Sequence, residues 1–355
     1  MTAVAGRPGV RVGPFSWVFR PRLVLVPLLA AALLVLVMAL NIRLGDFPMS
    51  VGDVLRTLVG GGDPTEQYIV FDLRLPRSLT GLLVGAAFGL AGAITQAISR
   101  NPLASPDILG VTPGASAGAV GVVVLAGSYG GVAGLASTIG LPLAALAGGL
   151  IAALLVYVLA WRRGVDSYRL VLVGIGVEAL MMNLTYWLLT LGDVTEAGRA
   201  MVWITGSLNG RGWGDLVPVA VALAVLVPVA LIGGHVLGAL QFDDDTVRNL
   251  GARVEPARAV LILVAVVLAA VATSAAGPVY FVALATPQIA LRLSGTAQPP
   301  LVASAVLGAA LVSVSDLIAR VGFGGIELPV GVVTSVLGAP YLMFLIIRRR
   351  REVRA

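Results

Sequence analysis

The chain has 355 residues, of which 58% are hydrophobic and 12% are charged, and its mean hydropathy is +0.98. Because soluble domains carry roughly 25% charged residues, this composition excludes an ordinary soluble enzyme and indicates a membrane protein. There is no Cys, no Lys and one His. The chain therefore lacks the residues of a lysine-bearing phosphate loop or a thiolate metal site, and we expect neither catalysis nor a resident metal.

Ten apolar stretches are candidates for membrane spans, each of which takes about 20 helical residues to cross the hydrocarbon core. They lie near residues 23–41, 78–98, 109–127, 136–161, 169–191, 216–234, 257–276, 279–293, 300–320 and 329–347. The eighth is short and only marginally apolar. Gly81, Gly85, Gly89 and Gly92 in the second stretch predict close approach of helix backbones. The expected fold class is all-α, a single polytopic membrane domain over residues 23–347.

The positions of arginine predict that both ends of the chain lie in the cytoplasm. Arginines flank the first and last spans at positions 7, 11, 20, 22 and 348–351. Positive residues collect on the cytoplasmic side of membrane spans, and ten spans return the chain to its starting side. We therefore assign residues 1–22 and 348–355 to cytoplasmic segments. Since the basic residues gather at span ends, we expect no nucleic-acid partner.

Two of the predicted cytoplasmic loops carry ordered polar sequence. Residues 100–107 contain Pro102 and Pro106, which forbid a continuous helix and predict a shaped turn. Residues 241–251 carry three acids at positions 243–245 and end with Gly251, the pattern of a short capped helix. On the residues alone, this helix is equally well interpreted as a plain connection or as a grip for a soluble partner.

Two blocks of long, correctly spaced motifs add a family resemblance. The first block contains Arg74-Leu75-Pro76-Arg77 and Asn101-Pro102-Leu103-Ala104, and the second contains Gly277-Pro278 and Glu327-Leu328-Pro329-Val330-Gly331. On these motifs the chain resembles the FecCD permease family over residues 23–347. Within that family it is most similar to ferric-enterobactin permeases, through segments 161–166, 206–210 and 292–297.

The resemblance implies the permease fold of a type II ABC importer in the bacterial cytoplasmic membrane. Two ten-helix permease subunits, identical or paralogous, would enclose a central pathway. Separate ATPase subunits would use ATP and Mg²⁺, and a binding protein would deliver a ferric siderophore. This chain would bind no cofactor itself, and iron would remain inside its chelator.

The resemblance also implies two sets of contact residues. The segment 243–251 matches the family's coupling helix, so the residues expected to transmit ATPase closure are Asp244, Thr246, Arg248 and Leu250. Arg74, Arg77 and Arg320 match arginines that meet acidic residues of the binding protein, and such charge-assisted pairs suit reversible docking. For Arg320 the alternative is an ion pair with Asp316, four residues earlier in the same helix.

A third set of residues is expected along the pathway. The two loops that close the pathway in the resembling permeases match Asn101, Leu103, Ser167 and Tyr168, for which ordinary turn capping is the alternative. Glu178 lies nine residues after Arg169, about 13 Å along a helix at 1.5 Å per residue, and is therefore expected inside the membrane. Glu178 and Asn183 could contact cargo, or satisfy interhelical hydrogen bonds.

One departure and several alternatives remain open at this stage. Pro287-Gln288 stands where many family members carry Pro-His, which puts any role of that His in doubt. Haem and cobalamin importers share the same permease fold. An ion-coupled secondary transporter would need intramembrane acids at discontinuous helices, and Glu178 and Asp316 are the clear mid-span acids here.

Overall fold

The structure is a computed structural model that describes residues 9–12, 15–18, 20–45, 47–128, 135–161, 167–239 and 254–354. The expected coupling segment, with Asp244, Thr246, Arg248 and Leu250, lies outside the described residues. A short antiparallel pair, β1 (Gly9–Val12) and β2 (Phe15–Val18), precedes the first long helix. The remainder of the described secondary structure is helical.

Thirteen α-helices run through the described ranges. They are α1 (Pro21–Arg43), α2 (Val51–Leu58), α3 (Pro64–Gln67), α4 (Leu75–Ser99), α5 (Val111–Ser128), α6 (Leu135–Ala160), α7 (Ser167–Leu191), α8 (Val194–Ile204), α9 (Trp213–Ala239), α10 (Val254–Ala276), α11 (Val282–Ser294), α12 (Leu301–Val321) and α13 (Val330–Arg354). A π-helix, Tyr68–Arg74, joins α3 to α4, and a 3₁₀ turn, Pro106–Leu109, precedes α5.

Ten of these helices coincide with the ten predicted spans, and the all-α prediction is confirmed. Seven are long and apolar enough to cross a membrane, namely α1, α4, α6, α7, α9, α10 and α12. Two more, α5 and α13, contain shorter apolar stretches, Val111–Leu125 and Val330–Phe344. With 13 residues, α11 covers about 20 Å at 1.5 Å per residue. The eighth span is therefore short, as its sequence predicted.

The core of the bundle is α4, because its backbone touches the backbones of neighbouring helices. A Cβ atom added at Gly85 or Gly89 would clash with main-chain atoms of Gly308 or Ser304 in α12, and one added at Gly92 would clash with Ala283 in α11. Such contacts need small residues at the crossing. In the span that contains α4, 83% of the most apolar 18-residue stretch is buried, against 17% of the corresponding stretch of α1. Close packing at these glycines is confirmed, and α1 lies at the periphery.

The helical structure is interrupted between α10 and α11. Here the connecting segment meets the loop after α8 and the first turn of α13 through main-chain groups. Gly206 and Gly277 both have φ of +72°, a conformation that glycine adopts without strain. Ser207 N–H donates to the Ala276 carbonyl at 2.8 Å, and Gly331 N–H donates to the Gly206 carbonyl at 3.0 Å. A Cβ at Gly331 would clash with the Thr205 carbonyl. These contacts explain why glycine occurs at each of the three positions.

Candidate docking, gate and pathway sites

Arg77 sits in a buried ion cluster at the end of the bundle where α1 ends and α4 begins, which we call the upper end. Its Nη2 lies 2.7 Å from Oδ1 of Asp316 in α12 and 2.5 Å from Oε1 of Glu327, just before α13. Its Nε donates to the same Asp316 oxygen at 3.1 Å. Because 2% of the Asp316 side chain and 33% of the Glu327 side chain are exposed, Glu327 is the outer member of the cluster.

Arg320 joins this cluster to α1. Its Nη2 donates to the backbone carbonyl of Asn41 at 2.8 Å and to the Asn41 side-chain oxygen at 2.7 Å. The Asn41 amide in turn donates to the Ser313 carbonyl at 3.1 Å. Arg320 Nε is 3.7 Å from Asp316 Oδ2, so the intrahelical ion pair considered from the sequence is present. Asp316 therefore faces two guanidinium groups.

Arg74 caps the C-terminus of α1. Its guanidinium donates to the carbonyls of Ile42 at 2.7 Å, Arg43 at 3.1 Å and Phe47 at 2.5 Å. A cation is stabilising at this position because the last carbonyls of a helix lack intrahelical partners and carry partial negative charge. Arg74 and Arg77 are both buried and bonded within this chain. Their expected contact with a binding protein remains a prediction.

A π-helix positions these arginines. The Leu75 N–H donates to the Val70 carbonyl, five residues earlier, and Pro76 follows with no N–H to continue an α-helical pattern. Trp213, at the start of α9, donates its indole N–H to the Phe71 carbonyl at 3.0 Å. The wider turn therefore ends where α4 begins. The sequence did not predict this π-helix, although Pro76 indicated an irregular hydrogen-bond pattern just before it.

At the opposite, lower end, the predicted shaped turn is confirmed. Arg100 ends α4 with φ of +49°, and the Asn101 side-chain oxygen accepts from the Leu103 N–H at 3.0 Å. Asn101 therefore makes the turn-capping bond that was the alternative to gating. Asp107 accepts from the Thr112 and Ser105 hydroxyls. Burial raises the pKa of Asp107 above its ordinary value, and these hydrogen bonds oppose that effect.

A cleft of about 370 Å³ with a mixed polar and apolar lining opens beside this turn. Gln288 is the residue that stands in place of the His considered in the sequence analysis. Its side-chain amide donates to the Gln96 side-chain oxygen at 2.7 Å, and the Gln96 amide donates to the Leu284 carbonyl at 3.0 Å. Arg100, Asn101 and other residues complete the lining. The two amides link α11 to α4, so Gln288 serves packing between helices as well as lining the cleft.

The remaining predicted pathway residues lie on α7. Glu178 is partly exposed and Asn183 is exposed, with the Asn183 amide bonded back to the Ala179 carbonyl at 2.8 Å. Tyr168 is exposed in the first turn, and Ser167 is the first residue of the helix. The expected gating role of Ser167 and Tyr168 and the expected cargo contact of Glu178 and Asn183 remain predictions.

The comparisons with known proteins agree with this architecture. The sequence model of the FecCD transport family matches residues 33–348. The chain belongs to the FecCD transport family. This FecCD chain is 39% identical to the ferric enterobactin transport system permease FepG of Escherichia coli, an alignment that covers 93% of the chain and 98% of FepG. It is 40% identical to the achromobactin transport system permease CbrC of Dickeya dadantii, with 91% of each chain covered.

A comparison with solved structures agrees with the family assignment at the level of the fold. The FecCD chain superposes on a chain described as a metal-chelate type ABC transporter in an inward-facing conformation, with a TM-score of 0.77. The two are 26% identical, and the alignment covers 91% of this chain and 99% of the other. The helical bundle therefore has the fold of an ABC transporter permease.

Proposed function

We propose that this FecCD chain is the membrane-spanning permease subunit of an ATP-driven importer of iron-siderophore complexes. The observation that carries the proposal is the near full-length match to siderophore permeases at 39% and 40% identity. The fold supports it, because seven helices of the described residues are long and apolar enough to cross a membrane. The chain would supply the pathway and take no part in the chemistry of ATP hydrolysis.

The proposed assembly contains a second permease subunit, a copy or a paralogue, together with ATPases and a binding protein. The exposed face of α7, with Glu178 and Asn183, and the exposed Val336 of α13 suit a surface that faces the pathway or the second subunit. Both ends of the chain would lie in the cytoplasm, which places the upper end of the bundle outside the cell. The lower end, with Asn101, Leu103, Ser167 and Tyr168, would form the inner gate.

Coupling is proposed to pass through the segment between α9 and α10. Asp244, Thr246, Arg248 and Leu250 would contact the ATPase, as the match to the family's coupling helix implies. This chain has no lysine with which to build a phosphate-binding loop of its own. ATP and Mg²⁺ would therefore bind in the partner ATPase, whose closure must reach the permease through such a contact.

Docking is proposed at the upper end, where Arg74, Arg77 and Arg320 gather. A carboxylate of the binding protein would compete with Glu327 for Arg77, because Glu327 is the more exposed of its two partners. Arg74→Glu and Arg77→Glu should weaken binding-protein capture by those detergent-solubilised complexes that still assemble with the ATPase. Unchanged capture by such assembled complexes would reject this assignment.

Uptake of labelled cargo tests the proposed function. Cells that lack their own siderophore permeases would receive this chain with its ATPase and binding protein, and accumulation of radiolabelled ferric catecholate, ferric hydroxamate, haem and cobalamin would be compared. We expect ATP-dependent uptake of a ferric siderophore alone. Uptake of haem or cobalamin instead would overturn the cargo, and accumulation that persists after ATP depletion would overturn the ABC mechanism.

A further inference from the structure

The linker between α1 and α4 contains a well-capped amphipathic helix, α2, whose function the preceding sites leave unexplained. The Ser50 hydroxyl accepts from the Asp53 N–H at 3.2 Å, and the Asp53 carboxylate accepts from the Ser50 N–H at 3.0 Å. This reciprocal capping box stabilises the first turn. The hydrogen bonds from Ser50 also hold the pKa of Asp53 below its ordinary value.

Three different surfaces run along α2. Val54 and Thr57 are buried, and Val54 packs in a small cluster with Ile42 of α1. Asp53 and Arg56 form a charged surface. The third surface is an apolar stripe at helical spacing, and its members are exposed: Val51 at 55%, Leu55 at 59%, Leu58 at 40% and Val59 at 86%.

The helix α2 packs against the end of an apolar helix that is mostly exposed. The helix that precedes α2, α1, is the most apolar of the candidate spans, and 17% of its most apolar stretch is buried. Leu36, near the upper end of α1, is exposed. Because α2 packs on Ile42 just above, its stripe lies where α1 leaves the membrane. Four adjacent exposed apolar side chains on a water-facing helix would be an unfavourable arrangement.

Aromatic side chains mark the same level of the bundle. Phe47 and Tyr68, on either side of α2 in the sequence, are exposed, and so is Trp213 at the start of α9. Trp213 is tied to this level by its bond to the Phe71 carbonyl. Trp and Tyr are enriched at membrane–water interfaces. Arg43 and Arg56 are exposed beside them, with side chains long enough to reach lipid phosphates.

We propose that α2 is an interfacial helix whose stripe of Val51, Leu55, Leu58 and Val59 enters the acyl boundary of the lipid leaflet beside the upper end of α1. Asp53 and Arg56 then face water and headgroups. Amphipathic helices lie in this way when one face is apolar and the other charged. The lipid contact fixes the depth of the linker, and with it the Phe47 carbonyl that Arg74 holds.

Site-specific fluorescence tests this placement, and the absence of cysteine makes single-cysteine variants direct to build. L55C and V59C would report from the stripe and R56C from the charged surface. Each variant would be labelled with the environment-sensitive fluorophore NBD, assembled with the partner ATPase and reconstituted in phosphatidylethanolamine–phosphatidylglycerol vesicles. We expect blue-shifted emission that is quenched by spin-labelled acyl chains at L55C and V59C, and red-shifted emission that is quenched by aqueous iodide at R56C.

Three results would overturn the proposal. Emission of L55C and V59C that matches R56C would make the stripe a hydrated surface. A blue shift that arises only when binding protein is added would make it a protein-docking surface. Self-quenching between labelled copies would assign it to a contact between permeases. If L55C fails to assemble with the ATPase, V51C and L58C report on the same stripe and give the same decision.

Discussion

Arg77 and Asp316 are 239 residues apart in the sequence, yet a guanidinium nitrogen and a carboxylate oxygen of the two lie 2.7 Å apart in the interior of the upper end. Removing Arg77 leaves the buried Asp316 carboxylate with only the longer, 3.7 Å contact to Arg320, and breaking a buried ion pair typically costs about 3–5 kcal/mol. We expect Arg77→Ala to lower the free energy of unfolding by that order in mixed detergent micelles. Arg77→Met combined with Asp316→Leu should lose less than Arg77→Met alone.

The matched control for this prediction is Arg199→Ala. Arg199 is an exposed residue of α8, and surface substitutions usually change stability by less than about 0.5 kcal/mol. Equal losses in the Arg77 and Arg199 variants would contradict a structural role for the buried pair.

Arg74 is predicted to hold the upper end of α1. Hydrogen bonds to charged groups contribute about 1.5–3 kcal/mol each, and Arg74 donates to three carbonyls. Arg74→Ala should therefore destabilise the protein by at least about 2 kcal/mol. Arg74→Lys should recover only part of that loss, because an ammonium lacks the planar fork of a guanidinium. Arg56→Ala, in α2 nearby, serves as the control. Full recovery by Lys would show that charge alone is needed.

Gly92 is predicted to tolerate no side chain. A methyl group there would clash with the main chain of Ala283, and overpacking of this kind costs typically about 1–3 kcal/mol. Gly176 in α7 has no atom within 4 Å of its added Cβ, so Gly176→Ala should be neutral, or stabilising by up to about 1 kcal/mol. Thermal unfolding of the two purified variants measures the difference. A tolerated Gly92→Ala would mean that α4 and α11 separate readily.

Gln288 is predicted to matter through its bond to Gln96. Gln288→Leu leaves the buried Gln96 oxygen without that donor, which costs about 1–3 kcal/mol. Gln288→His retains a nitrogen donor and should keep more of the stability. Gln67→Leu, at an exposed position, controls for the loss of an amide. If Gln288→Leu and Gln288→His reduce stability equally, the amide pair is not the cause.

The coupling segment is tested by a proline substitution. Asp244→Pro should abolish ATPase association or cargo-stimulated ATP hydrolysis, because it removes both the carboxylate and the backbone N–H of a residue proposed to contact the ATPase. Thr246→Ser, which keeps the hydroxyl, should behave as the unaltered chain does in the same pull-down and phosphate-release measurements. Normal coupling in Asp244→Pro would remove the segment from the coupling mechanism.

Much of the fold follows from local patterns. Ten apolar stretches became ten helices because a segment in lipid must satisfy its backbone hydrogen bonds internally, which hydropathy alone identifies. The short eighth span was visible for the same reason. Gly85, Gly89 and Gly92 predicted close packing, since glycine spacing is itself a local signal.

Contacts between distant segments were harder to anticipate. Asp316 and Arg320 are four residues apart, so their pair was foreseen, whereas the bonds from Arg77 to Asp316 and from Arg320 to Asn41 join separate helices. The motifs that include Arg77 and Glu327 drew attention to the right residues without revealing that they touch. The π-helix was missed because its hydrogen bonds depend on register within the helix, which composition does not encode.

The meeting of Gly206, Gly277 and Gly331 has an evolutionary consequence. The segments that contain these glycines are joined by main-chain hydrogen bonds, and they approach this closely because glycine has no Cβ atom. Because these contacts involve main-chain atoms, they do not depend on which side chains surround them. Residues proposed to line the pathway, such as Glu178 and Asn183, can therefore change without disturbing these main-chain contacts, so that few substitutions would alter the pathway while the fold is kept.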